Sequence, residues 1–178
     1  MARPSATEYS PSHDQYINLI PESEIVPVLE SQRREVADFL QKVPETVGNV
    51  RHPPYTWSVK EVVGHLTDAE RILGYRALRF ARNDLKPLQG FDQDPYVLTA
   101  QFNRLPLRDL AAEFDAIRRS NVYLFKGMAE DAWNRVGVAS DNPISVRALA
   151  YVIAGHVRHH LAILRKRLAG DKPVHPTV

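Results

Sequence analysis

The stretch from Ser58 to about Ala81 narrows the fold more than any other part of this chain. Ser58 and Glu61 form an S-x-x-E capping box, in which serine oxygen and glutamate carboxylate each satisfy an unpaired backbone N–H. Trp57 just before the cap and Val62 just inside it can close a hydrophobic staple. Val62, Val63, Leu66, Ala69, Ile72 and Leu73 then recur at helical spacing, giving a long helix with one buried face.

Three more segments carry the same pattern. The first runs from about Glu24 to Gln41, with Ile25, Val28, Leu29, Val36, Phe39 and Leu40 on its stripe and Pro27 tolerated in its first turn. Another spans about Pro106 to Lys126, with Pro106 expected at the first helical position and Gly127 at a left-handed stop. The last starts at a Ser145 cap and runs to about Leu168, where Arg165, Lys166 and Arg167 favour the C-terminal dipole. Without an alternating β-branched run to compete, the expected fold class is all-α, a four-helix bundle. Its connections, 43–57, 83–105 and 128–144, are long for a bundle and suggest crossovers or loops with a task. Within the second, Asp94 and Pro95 read as the cap and first residue of a short helix. We expect a domain over 21–170, preceded by an arm (1–20) and followed by a tail (171–178).

Composition limits the chemistry. The 178 residues hold 23 Lys+Arg against 21 Asp+Glu, a net charge of +2, which gives little support to nucleic-acid binding. Cysteine is absent, which excludes a disulfide scaffold, a thiolate metal site and a thiol nucleophile from the chain itself. Neither a signal-peptide core nor a membrane-length apolar run occurs, so a cytoplasmic protein is expected.

Histidine fills the space this leaves. His156 and His160 are four residues apart, one above the other on a helix. They continue the inner stripe of Leu149 and Ile153. One inward histidine is commonly a core residue bonded to a neighbouring helix. Two on one stripe need many polar partners, and a shared metal ion satisfies them more simply. His65, at or near the inner stripe of the Ser58 helix, completes a three-histidine set, the kind of site bundle cores build from facing helices. Three ligands leave coordination positions open for water or substrate. Val157 follows His156 where a zincin would carry glutamate, so any acid or base must come from elsewhere. Asp68, one turn beyond His65, is a candidate for that role or for orienting a ligand, against the alternative of a solvated charge. His159 falls on the flank, and His13, His52 and His175 are expected at the surface.

The run Trp57-Ser58-Val59-Lys60-Glu61-Val62-Val63-Gly64-His65-Leu66, with Asp68 and Glu70 after it, resembles the first signature of the DinB superfamily, especially its YfiT-like branch. Gly155-His156 through His159-His160-Leu161 resembles the second signature. The likeness extends to Tyr16 through Glu22 and to Pro87 through Tyr96. It implies a four-helix bundle holding a divalent ion, zinc or nickel, on His65, His156 and His160. It also implies a homodimer. Some members are thiol S-transferases that use a low-molecular-weight thiol, and others are described as metal-dependent hydrolases. The superfamily's name records induction by DNA damage and does not establish DNA binding.

Two readings follow. The first is an enzyme in which the bound ion activates water or a thiol cosubstrate against a small electrophile, with Asp68 and Asp92 as candidates for acid–base or supporting roles. Asp92 lies in the second connection, which could lid the site. The second is a non-catalytic, metal-stabilised interaction module of a stress response.

Overall fold

A computed structural model describes residues 2–84 and 86–170, so His175 lies outside the described residues. Six α-helices follow in order: α1 (Asp14–Ile17), α2 (Ile25–Gln41), α3 (Val59–Ala81), α4 (Gln93–Ala100), α5 (Leu107–Lys126) and α6 (Val146–Ala169). The four long ones, α2, α3, α5 and α6, form the bundle. None of the described helices is long and apolar enough to cross a membrane.

Around the bundle, α2 packs on α5 and α6, and α3 packs on the same two. The sequence neighbours α2 and α3 are therefore diagonal, as are α5 and α6. This explains two of the long connections, 43–57 and 128–144, since a chain crossing the end of a bundle needs more residues than one joining adjacent helices. The third, 83–105, joins the adjacent α3 and α5 and is lengthened by α4. The first crossing carries a short 3-10 turn, Glu45–Val47. The second diagonal crossing carries an antiparallel hairpin, β1 (Val136–Ala139) with β2 (Asn142–Ser145), that the sequence reading did not foresee. Four residues a side is too short for an alternating pattern to stand out. Its turn residues, Ser140 and Asp141, take φ of 51° and 62°, the left-handed pair that matches strand twist in a two-residue hairpin loop.

The helix starts follow their caps. Ser58 Oγ accepts from Glu61 N–H at 3.2 Å, and Ser58 N–H donates to Glu61 Oε2 at 2.7 Å. Ser145 Oγ accepts from Ala148 N–H at 2.9 Å. Three local expectations are corrected. Asp92, not Asp94, caps α4, its Oδ1 accepting from Asp94 N–H at 3.1 Å, so Pro95 is the third residue of the first turn. Pro106 is the N-cap of α5 rather than its first residue, with extended backbone at ψ 144°. Gly127 ends α5 at φ −90°, not in the left-handed region.

Residues 2–20 pack onto the bundle. Ile17 and Ile20 are buried in an apolar cluster to which α2, α3, α5 and α6 all contribute, and α1 packs on α6. Gly155 permits this contact, because a Cβ there would stand 2.1 Å from the Tyr16 carbonyl oxygen. Two apolar clusters fill the bundle, one around Leu29, Leu73 and Ile153, the other around Val36, Leu66 and Phe114. A polar layer separates them. The Arg118 guanidinium donates to both Glu70 carboxylate oxygens at 2.8 Å and to Gln32 Oε1 at 2.7 Å. Gln32 Nε2 in turn donates to Ala154 O at 2.9 Å, holding α6 in phase two residues before His156.

Candidate metal centre

His65 points from the seventh position of α3, and His156 and His160 from successive turns of α6, which packs directly against α3. The capping box fixes where α3 begins and so the phase that turns His65 inward. Gly64 lets the Phe102 ring lie against α3 beside it, since a Cβ would come within 2.3 Å of that ring.

The three rings meet edge to face. His65 Nε2 lies 3.0 Å from His156 Nε2, and His160 Nε2 lies 3.1 Å from His156 Nε2. One ligand atom from each residue lies within 4.8 Å of the others. Two nitrogens held about 2.0–2.1 Å from a common zinc ion stand roughly 2.9–3.4 Å apart as the angle opens from square to tetrahedral. The two separations to His156 fall in that interval, and His65 and His160 stand within 4.8 Å of each other.

Proton bookkeeping points the same way. His156 Nε2 has one lone pair or one proton, yet faces two other ring nitrogens. Hydrogen bonding alone cannot pair all three well, whereas a cation accepts all three lone pairs. Burial holds the His65 imidazolium down to about 4. Burial, with the neighbouring rings and Arg167, holds His160 down to about 3. His156 lies well below the ordinary value for the same first reason, burial, with its neighbours adding to it. All three are neutral near pH 7, the state a metal ligand requires. His65 and His156 are buried, while His160 keeps partial exposure and marks the open side.

Residues 29–164 match the DinB superfamily. The chain belongs to that superfamily. Among solved structures it is similar to YfiT from Bacillus subtilis, described as a probable metal-dependent hydrolase with an unusual four-helix bundle topology. That likeness has a TM-score of 0.76 at 13% identity and covers 95% of this chain and 93% of YfiT. A mycothiol-dependent maleylpyruvate isomerase is similar with a TM-score of 0.68 at 11% identity. There the likeness covers 82% of this chain but 61% of the isomerase. No curated protein matches the sequence. At these identities the shared feature is the fold.

The other residues singled out from sequence fall in different places. Asp68 is half-buried three residues after His65, and its Oδ1 lies 3.4 Å from the Arg71 guanidinium. Burial raises its carboxyl, with Arg71 pulling the other way. Asp92 is exposed, with its carboxylate engaged at the α4 cap. Neither belongs to the histidine group. His159 sits on the flank, its ring edge-on to Tyr16 at 5.5 Å. His13 and His52 are half-buried rather than fully at the surface.

Three contacts to the centre escaped the sequence reading. The Trp57 ring packs on His65 at 4.8 Å, and Tyr16 meets His156 edge-on at 5.3 Å. Arg167 lies beside His160 on the wall of a pocket. Helical spacing carried a signal for Arg167: it follows His160 by seven residues, hence on the same face.

Proposed function

We propose that this chain is a metal-dependent enzyme of the DinB/YfiT type that activates water or a thiol cosubstrate against a small electrophile. The observation that carries the reading is the convergence of three neutral Nε2 atoms at 3.0 and 3.1 Å in the bundle core. His65, His156 and His160 would hold the ion, zinc or nickel, since three imidazoles suit either by geometry and supply. When bound, such an ion lowers the pKa of a coordinated water or thiol toward neutrality.

The chain's own residues supply the rest. Trp57 and Tyr16 restrict the rings of His65 and His156. Access is left at His160, which lines a pocket with Trp57 and Val62. Because the chain has no cysteine, a thiol nucleophile must arrive as a separate molecule. The mycothiol dependence of the similar isomerase supports a thiol cosubstrate, and the description of YfiT supports water. Of the two carboxylates, Asp68 is the candidate for proton handling, because it stands half-buried three residues after His65 on α3 whereas Asp92 is exposed and committed to a helix cap. The same reading takes the protein as a cytoplasmic homodimer.

The test is turnover with zinc or nickel against an aryl ester, and against an aryl halide with and without added thiol. Metal-dependent rates lost in His65→Ala are expected. No turnover above background with either metal, while metal still raises stability, would overturn the reading and leave a metal-stabilised module.

A further inference from the structure

Beside the metal centre lies a cation that the three-histidine reading does not use. Arg167 is 6% exposed, although it belongs to a basic run at a helix end where solvated charges are usual. The buried Arg118 and Lys60 pair with Glu70 and Glu45. Among the described residues, no carboxylate pairs with Arg167. One of its Nη2 N–H groups donates to the Trp57 carbonyl oxygen. Its Nε is buried without a hydrogen-bond partner. The guanidinium carbon lies 4.6 Å from the centroid of the Tyr55 ring. A planar fork of five donors is thus held by stacking, with the Trp57 carbonyl as its acceptor among the described residues and its Nε left over. Its charge also helps to hold His160 neutral, which places it within electrostatic reach of the centre.

The space in front of it is a pocket of about 260 Å³ walled by Tyr55, Trp57, Val62 and Ile163, with Thr56, His160 and Arg167 as its polar members. A largely apolar slot ending in a guanidinium that has no carboxylate partner among the described residues fits a small molecule with an apolar body and one planar anionic end. We infer that this pocket is a carboxylate subsite: Arg167 takes the carboxylate of a small ligand whose body lies along Tyr55 and Trp57 and whose other end faces His160. The inference rests on the proposed function for what that other end does. The arginine–carboxylate contact itself needs no ion.

The experiment is calorimetric titration of the full chain, metal-stripped and zinc-loaded, with phenylacetate, phenylacetamide and inorganic phosphate, with zinc stoichiometry measured in parallel. Phenylacetate is expected to bind at least about tenfold more tightly than its amide in both forms, the difference a charge-assisted pair supplies. Arg167→Gln should erase that preference at unchanged zinc stoichiometry, and Arg167→Lys should keep part of it. Equal binding of acid and amide by the unaltered chain would overturn the subsite even where Arg167→Gln fails to fold. So would phenylacetate binding that requires zinc and survives Arg167→Gln, because the carboxylate would then sit on the ion. Phosphate binding as tight as phenylacetate binding would also overturn it. A chain that takes up no zinc, yet keeps the Arg167-dependent preference, would sink the metal reading and leave the subsite standing.

Discussion

Replacing Glu70 with Gln removes one charge from the centre of the bundle and leaves its shape nearly unchanged. Arg118 is 0% exposed and Glu70 2%, and the two share parallel hydrogen bonds of 2.8 Å. With an effective dielectric of about 20 and charge centres about 4 Å apart, their attraction is about 4 kcal/mol. Desolvation offsets much of this in the intact pair, but Glu70→Gln leaves the Arg118 desolvation cost standing without the attraction. Breaking a buried pair from one side typically costs about 3–5 kcal/mol. With a urea m-value of about 2 kcal/mol/M, the midpoint should fall by about 1.5–2.5 M. The double variant Glu70→Gln/Arg118→Met should cost much less than the two single changes summed, because no lone charge remains. As a control, Glu30→Gln breaks a pair with Lys126 in which both side chains are about half exposed, and should move stability by less than about 1 kcal/mol. The reasoning fails if Glu70→Gln costs under about 1 kcal/mol, or if the double variant is additive within about 0.5 kcal/mol.

Two further outcomes are expected. Gly155→Ala places a Cβ against the Tyr16 backbone, which cannot swing aside as a side chain can, so a loss of about 1–3 kcal/mol is expected. At 2–4 °C per kcal/mol, calorimetry should show a fall in Tm of roughly 2–12 °C, and an unchanged Tm would show that residues 14–17 do not pack as described. Glu8 gives a pH signature. Burial pushes its carboxyl up, but hydrogen bonds from Arg147, Ser5 N–H and Ser145 outweigh that and leave it below its ordinary value of 4.5. A lowered carboxyl contributes stability above its unfolded pKa and loses it as pH falls through the folded one. Stability should therefore drop below about pH 4.5 in the unaltered chain, and Glu8→Gln should show a shallower drop in urea titrations at pH 3 to 6.

What the sequence made legible was what local chemistry decides. The boundaries of α3 and α6 could be read because Ser58 and Ser145 cap through their own side chains, and the inward turn of His156 and His160 followed from spacing alone. The diagonal arrangement could not be read, because a stripe says that a helix faces a core but not which helix it faces. Arg118 and Glu70 were partly legible: Arg118 stands four residues after Phe114 and four before Val122, and Glu70 four after Leu66, so both occupy core phase. Their pairing, though, joins residues 48 apart. The α4 cap differs because Asp92 and Asp94 are both good cap residues, and the Pro95 that favoured Asp94 is also tolerated as the third residue of a helix's first turn. The burial of Arg167 was hidden by its neighbours, since Arg165 and Lys166 are solvated helix-end charges and it differs from them only in phase.

The central claim is that His65, His156 and His160 hold one divalent ion. Plasma mass spectrometry on the untagged protein tests it, with a His156→Ala/His160→Ala variant beside it, because a histidine tag would itself bind nickel. Near one zinc or nickel per chain, lost in the variant while the far-ultraviolet spectrum remains helical, is expected. No stoichiometric metal in the unaltered chain, even after dialysis against zinc and then nickel, would contradict the claim and leave the three facing rings as part of the core.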